Sequence, residues 1–254
     1  MGKPHGTKDF WLAALRADGA AFRAAVGQEG ALGHQVPSCP EWTVGALAYH
    51  LGWVYRRVHA HANRGITTRP DNLPDDPRPD DAALLGWWDE RYADLLTMFD
   101  ALDPALPAWN WAPQAKRAEF WMRRMAHETA VHRWDAQMGV TGLTEPVEAK
   151  LAVDGITEVL DSWLPAGLRK GPLDRTGIVA LHAMDAGQVW YVRLRGTGIA
   201  LLDTDTLLDD DEHHERAVAA GSASDLMLAL YGRVPFDILD VTGDPSLLEA
   251  LRTG

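Results

Sequence analysis

The chain has 254 residues, 46% hydrophobic and 24% charged, with a formal net charge of −12 from 24 Lys and Arg against 36 Asp and Glu. That length buries one large core or two modest ones, and the acidic balance disfavours phosphate backbones and anionic lipid surfaces as partners. The opening residues hold no apolar core of signal-peptide type and no run of about eighteen apolar residues occurs, so the protein is expected in the cytoplasm, away from nucleic acid and membrane. Its one cysteine, Cys39, cannot form an internal disulfide and reads as a packed, inert thiol.

Four segments of the first half carry helical periodicity. Residues 8–27 place Trp11, Leu15, Phe22 and Val26 on one side, with Gly19 weakening the stripe; residues 42–62 follow with Leu47, Leu51, Val54 and Val58. Residues 81–101 repeat the pattern with Leu85, Trp88, Tyr92, Leu95 and Phe99, and residues 115–139 with Trp121, Met125, Glu128, His132 and Asp135. The shared spacing predicts an antiparallel four-helix bundle. Arg64 to Asp80, with Pro70, Pro74, Pro77 and Pro79, predicts an exposed crossover. Asp103 to Pro113 is a second loop, whose Trp109 and Trp111 are expected to pack against the bundle mouth.

From about Pro146 the pattern changes. A helix near 147–163 leads into β-rich runs at Thr176 to Met184 and Gln188 to Arg195, joined by the hairpin signal Asp185-Ala186-Gly187. A third strand is expected at Gly198 to Asp203, a solvated acidic loop at Asp209 to Glu212, and a helix at Ser222 to Tyr231 with Ser222 and Asp225 at capping-box spacing. Phe236 to Thr242 reads as a strand, and Asp244-Pro245 begins a last helix. The fold class is therefore α+β, with a four-helix domain over 1–145 and a small α+β domain over 146–254.

Within the fourth segment, Glu128 and His132 stand one turn apart on the face that Trp121 and Met125 mark as buried. An unpartnered carboxylate and imidazole there carry a heavy desolvation cost, which a bound cation would remove. His50, at the edge of the second helix's apolar stripe, is the best third ligand, and a two-histidine, one-carboxylate set leaves coordination positions open, as a catalytic zinc needs. The plainer alternative is a buried hydrogen-bonded Glu128–His132 pair beside a core histidine, because Glu-x-x-x-His arises by chance in many helices. Among the other histidines, His127 points roughly 140° away from His132 on an ideal helix, His59 and His61 fall near a helix end, and His213-His214 sits in the acidic loop. Asp135 either orients a ligand or, as is commoner for a helix carboxylate, pairs with an arginine.

These residues carry a resemblance. Val36-Pro37-Ser38-Cys39-Pro40-Glu41-Trp42-Thr43-Val44, His50-Leu51-Gly52 and the run Phe120 to Asp135 resemble the mycothiol-dependent maleylpyruvate isomerase family of actinobacteria. The resemblance continues through Gly221 to Leu226, Tyr231-Gly232-Arg233 and Val241 to Leu248, and so covers nearly the whole chain. It implies a DinB-like four-helix domain followed by a small sterol-carrier-like α/β domain. It implies a divalent metal, most often zinc, on His50, Glu128 and His132, and a cleft arginine at Arg233, with Arg91 a further possibility on the third helix. Mycothiol is the implied thiol cosubstrate, in a monomer or weak homo-oligomer.

In the type reaction an activated thiolate adds to the double bond of a cis-unsaturated dicarboxylate, the new single bond rotates, and loss of the thiol gives the trans isomer. A cation such as Arg233 would hold a carboxylate or the developing enolate. A thiol S-transferase acting on another electrophile needs the same activated thiolate. A non-catalytic small-molecule or metal-binding protein would need none.

Overall fold

Thr7, Thr43 and Asp80 set the starts of the first three long helices. Their side-chain oxygens accept the backbone N–H groups of Phe10, Ala46 and Ala83, satisfying donors that a helix start leaves open. In the computed structural model, which describes residues 6–74, 76–202 and 216–254, the helices are α1 (Lys8–Val26), α2 (Val44–Ala62), α3 (Asp81–Ala101) and α4 (Glu119–Thr141).

Two starts differ from the periodicity. α2 begins at Val44 rather than at 42 because Trp42 and Thr43 are extended: β2 (Cys39–Thr43) pairs antiparallel with β1 (Gln35–Val36). α4 begins at Glu119 rather than at 115 because the Lys116 ammonium donates to the carbonyls of Asn110 and Ala112 and to Asn110 Oδ1, folding 110–116 into a tied loop. Trp109 and Trp111 pack as expected. The Trp121 indole donates to the Trp109 carbonyl at 2.6 Å, and Trp111 meets Phe120 edge-on at 5.4 Å.

The helix directions follow from which side chains meet. Arg16 clasps Asp100 and Arg23 reaches Asp89, so α1 and α3 run antiparallel. Val44 lies beside Gly139 while His50 reaches Glu128, so α2 and α4 do too. Tyr49 packs on Trp87 and Tyr55 on Tyr92, so α2 and α3 advance together, and two parallel neighbours need the long Arg64–Asp80 crossover to join them. Leu15, Phe22, Leu47, Leu51, Tyr55, Trp88, Leu95, Phe99, Met122 and Met125 are essentially sealed from solvent, each such side chain contributing about 1.5–3 kcal/mol.

The chain divides into compact units at Gly6–Glu145 and Pro146–Gly254. In the second, α5 (Ala149–Glu158) continues into a π-helical turn, Val159–Trp163. The sheet has the order β5-β4-β3-β6-β7, from β3 (Thr176–Ala183), β4 (Gln188–Arg195), β5 (Gly198–Leu202), β6 (Arg216–Gly221) and β7 (Asp240–Gly243). The β3–β4 hairpin pairs Thr176 with Arg195 through Ala183 with Gln188, and Gly187 turns it with φ +62°.

Strand β6 lies parallel to β3 and, like β1 and β2, was not revealed by periodicity: its Ala217, Ala219 and Ala220 have poor strand preference. The strand expected over Phe236 to Thr242 is shorter. Phe236–Ile238 coils into a 3-10 turn that buries the Phe236 ring, and only Asp240–Gly243 pairs. Helices α6 (Ala223–Leu230) and α7 (Ser246–Glu249) follow Ser222, which accepts the Asp225 N–H, and Asp244, which accepts that of Ser246. Asp203, the acidic loop Asp209 to Glu212, and His213-His214 lie outside the described residues. Among the described residues no helix is long and apolar enough to cross a membrane.

Gly19 is a packing position as well as a gap in the stripe. A Cβ there would overlap Tyr92 Oη and Cζ, and that ring is held by stacking on Trp88 at 4.9 Å and by its hydroxyl donating to the Leu15 carbonyl at 3.0 Å. Burial holds the Tyr92 phenol up at about 12, so it stays a neutral donor. Helix propensity favours alanine over glycine by about 1 kcal/mol, but overpacking costs about 1–3 kcal/mol. Gly19→Ala is therefore expected to lower the urea midpoint; an unchanged or higher midpoint would show that Tyr92 yields.

Candidate metal centre

The α2 and α4 seam carries a carboxylate with cations and imidazoles around it. Glu128 uses its two oxygens differently: Oε2 accepts from the Arg124 guanidinium one turn earlier, while Oε1 lies 3.4 Å from both His50 Nε2 and His132 Nε2. His132 Nδ1 lies 2.9 Å from Asp135 Oδ2, and Ser38 Oγ donates to Asp135 Oδ1 at 2.5 Å. A carboxylate accepts, so the His132 proton belongs on Nδ1 and the Nε2 lone pair faces Glu128 in the neutral ring. Trp42 covers the His50 ring at 4.7 Å, and the two imidazoles meet edge to face at 5.1 Å.

Beneath the group, the Tyr55 hydroxyl meets that of Thr129 at 2.6 Å, tying α2 to α4 one residue from Glu128. Burial, only partly offset by that hydrogen bond, pushes the Tyr55 phenol well above its usual range.

The charges are interdependent. Burial pushes the Glu128 carboxyl up, but Arg124, then hydrogen bonds with His132 and His50, outweigh it and hold the group well below the usual carboxylate range. Burial likewise opposes charge on His132, yet the hydrogen bond to Asp135, then that to Glu128, raise its pKa above the ordinary imidazole value.

The donor set fits a divalent metal. One ligand atom from each of His50, Glu128 and His132 lies within 4.8 Å of the others. The 3.4 Å contacts are long for hydrogen bonds, but match the ~3.4 Å edge of a tetrahedron with bonds of ~2.1 Å.

The comparisons with known proteins cover both halves of the chain. Residues 12–137 match the mycothiol maleylpyruvate isomerase N-terminal domain and residues 150–250 the C-terminal domain of the same enzymes. The chain belongs to the mycothiol-dependent maleylpyruvate isomerase family. The fold agrees with two solved structures of mycothiol-dependent maleylpyruvate isomerase. One, a histidine-to-alanine mutant, has a TM-score of 0.65 at 11% identity, with 95% of this chain and 96% of that one covered. The other has a TM-score of 0.63 at 14% identity, with 97% of each chain covered. No curated protein matches the sequence.

In this member of the maleylpyruvate isomerase family, the structure brings His50, Glu128 and His132 together, and Asp135 holds the Nδ1 side of His132. Arg91 reaches Glu90 at 3.1 Å. Arg233 follows α6 in the C-terminal unit, donating to the Tyr231 carbonyl at 2.7 Å, and Gly232 turns the chain before it with φ +71°.

Sequence reasoning missed three contributors. Arg124 stands four residues before Glu128, a spacing that could have revealed it. Ser38 and Trp42 lie on β1–β2 and its turn, with no periodic signal to mark them.

Because the Glu128 pKa is depressed, its pairing stabilises the metal-free protein above the unfolded carboxylate value of about 4.3, and that stability is lost as pH falls through the lower folded value. In chelator-treated protein, Glu128→Gln should cost about 1.5–3 kcal/mol at neutral pH by removing the charge from a mostly buried, hydrogen-bonded pair. Urea titrations at pH 7 and pH 3 should show the difference shrinking in acid; an equal difference at both would mean the carboxylate is not the stabilising species.

Proposed function

We propose that this chain is a metal- and mycothiol-dependent isomerase of the maleylpyruvate isomerase type, in which His50, Glu128 and His132 hold one divalent cation, zinc by the chemistry of the donor set. The observation that carries the reading is the arrangement around Glu128: two imidazole nitrogens and a carboxylate oxygen at metal-ligand spacing, with His132 already oriented by Asp135. When bound, such a cation stabilises the thiolate form of a thiol near neutral pH.

The chain's own groups do the rest. Arg124 holds one oxygen of Glu128 and leaves the other turned toward both histidines. Asp135, held by Ser38, keeps the proton on His132 Nδ1 so that Nε2 is free to coordinate.

The substrate class is an electrophile resembling a cis-unsaturated dicarboxylate. Mycothiol sulfur forms a bond to one alkene carbon, and the π pair moves into the conjugated carbonyl as an enolate. The former double bond rotates, and the enolate pair re-forms it as the sulfur leaves, so the thiol is regenerated and no oxidant is needed. No protein nucleophile takes part. Arg233 is nominated by the resemblance to hold a substrate carboxylate or the enolate.

Purified protein should contain about one divalent ion per chain, which His132→Ala removes together with turnover of maleylpyruvate to the trans isomer in the presence of mycothiol. Full metal occupancy in that variant would reject the ligand set; a stable thioether in place of the trans product would make the protein an S-transferase. Neither product from metal-loaded protein would leave a binding protein as the better description.

For the carboxylate role, Arg233→Gln should raise KM by about tenfold or more at unchanged metal content, the loss of one charge-assisted contact. An unchanged KM would remove Arg233 from the site.

A further inference from the structure

The stripe of α2 that presents His50 continues past it. Trp53, Arg57 and His61 follow at the third, seventh and eleventh positions on the same helical face, and with Arg69 and Asn72 of the crossover and Trp109 they line a separate cleft of about 270 Å³. Arg57 lies about 10 Å along the helix axis from His50 by helical rise. Tyr49 and Arg56 hold the crossover wall by donating to the carbonyls of Asp76 and Pro74, at 2.5 and 3.1 Å.

The charges in this cleft do not cancel. The chain carries 36 acidic against 24 basic residues, yet neither Arg57 nor Arg69 has an ion pair among the described residues, although Asp71 stands on the rim. Arg57 instead lies over the Trp53 ring, 4.6 Å from its centroid. A cation–π contact of this kind uses none of the guanidinium's hydrogen-bond donors, so they remain for a ligand. Trp53 and Trp109 are only half-buried, leaving aromatic surface on the cleft.

His61 is 5% exposed, and its Nε2 has no hydrogen-bond partner among the described residues. Burial, then the neighbouring Arg57 and Arg64, hold its imidazole below the ordinary value. Its Nε2 is a neutral polar atom at the base of the cleft that the described residues leave unsatisfied, which is costly in a buried place.

We propose that this cleft binds the carboxylate of a small planar organic acid, with Arg57, seated on Trp53, and Arg69 on the charge and Trp109 against the flat body. Bidentate geometry makes arginine the natural carboxylate partner, and an indole face accepts a planar ring or conjugated chain. Occupancy of this site does not depend on a metal at the triad.

Benzoate is the probe, with benzamide to remove the charge and inorganic phosphate to remove the ring, titrated calorimetrically into the full chain. Benzoate should bind in the millimolar range, at about 4 kcal/mol, and shift the indole N–H signals of Trp53 and Trp109, while benzamide and phosphate bind at least about tenfold more weakly. The Arg57→Gln/Arg69→Gln double variant should lose benzoate binding by about tenfold or more, with circular dichroism unchanged. His132→Ala, which tests the triad, should leave it intact. No benzoate saturation below about 20 mM, equal binding by the double variant, or phosphate binding as tightly as benzoate would each overturn the site. Loss of benzoate in His132→Ala would place the acid at the triad instead.

Discussion

Placing the Glu128 carboxylate in a seam between two helices is the constraint on which the rest of this structure turns. An ionised carboxylate removed from water costs several kcal/mol unless its lone pairs are met. Here the demand is divided: one oxygen is met by Arg124, and the other is shared by two imidazoles at 3.4 Å. This keeps the group charged in a mostly buried place while leaving one oxygen only loosely occupied. A carboxylate satisfied by short bonds on both oxygens would be a structural ion pair and nothing more.

The bundle supplies that arrangement by setting which helices are neighbours. His50 and Glu128 stand 78 residues apart and meet because α2 and α4 lie antiparallel, with the Tyr55–Thr129 bond fixing their register next to the site. The crossover lets α2 and α3 advance in the same direction, so one face of α2 is given to Trp87 and Trp88 and another to α4. The same crossover, held against α2 by Tyr49 and Arg56, forms one wall of the arginine-lined cleft. One connection thus shapes both the bundle and its surface.

Second contacts account for the difference between the candidate ligands. His132 is nearly sealed, with Asp135 and Ser38 behind it. His50 is more open and is oriented by packing under Trp42. Oriented imidazoles lose less freedom on binding a cation than mobile ones do. The short β1–β2 hairpin, minor as a fold element, therefore contributes Trp42 directly and Ser38 from its turn.

The long helices were legible because apolar residues recur every three to four positions, and Ser222 marks a helix start by ordinary capping chemistry. Glu128 and His132 were legible for the same reason, as two polar residues one turn apart on an apolar stripe. The alanine-rich β6 and the 3-10 turn at Phe236 were not, since both depend on neighbours: β3 for the strand's pairing, and the core for the Phe236 ring. Sequence alone determined which side chains share a helical face, because that follows from backbone period. Only tertiary structure decided that His50 reaches Glu128, that Asp135 takes the Nδ1 side of His132, and that Arg57 and Arg69 converge on one cleft, because contacts between distant segments depend on how helices pack and how the crossover returns.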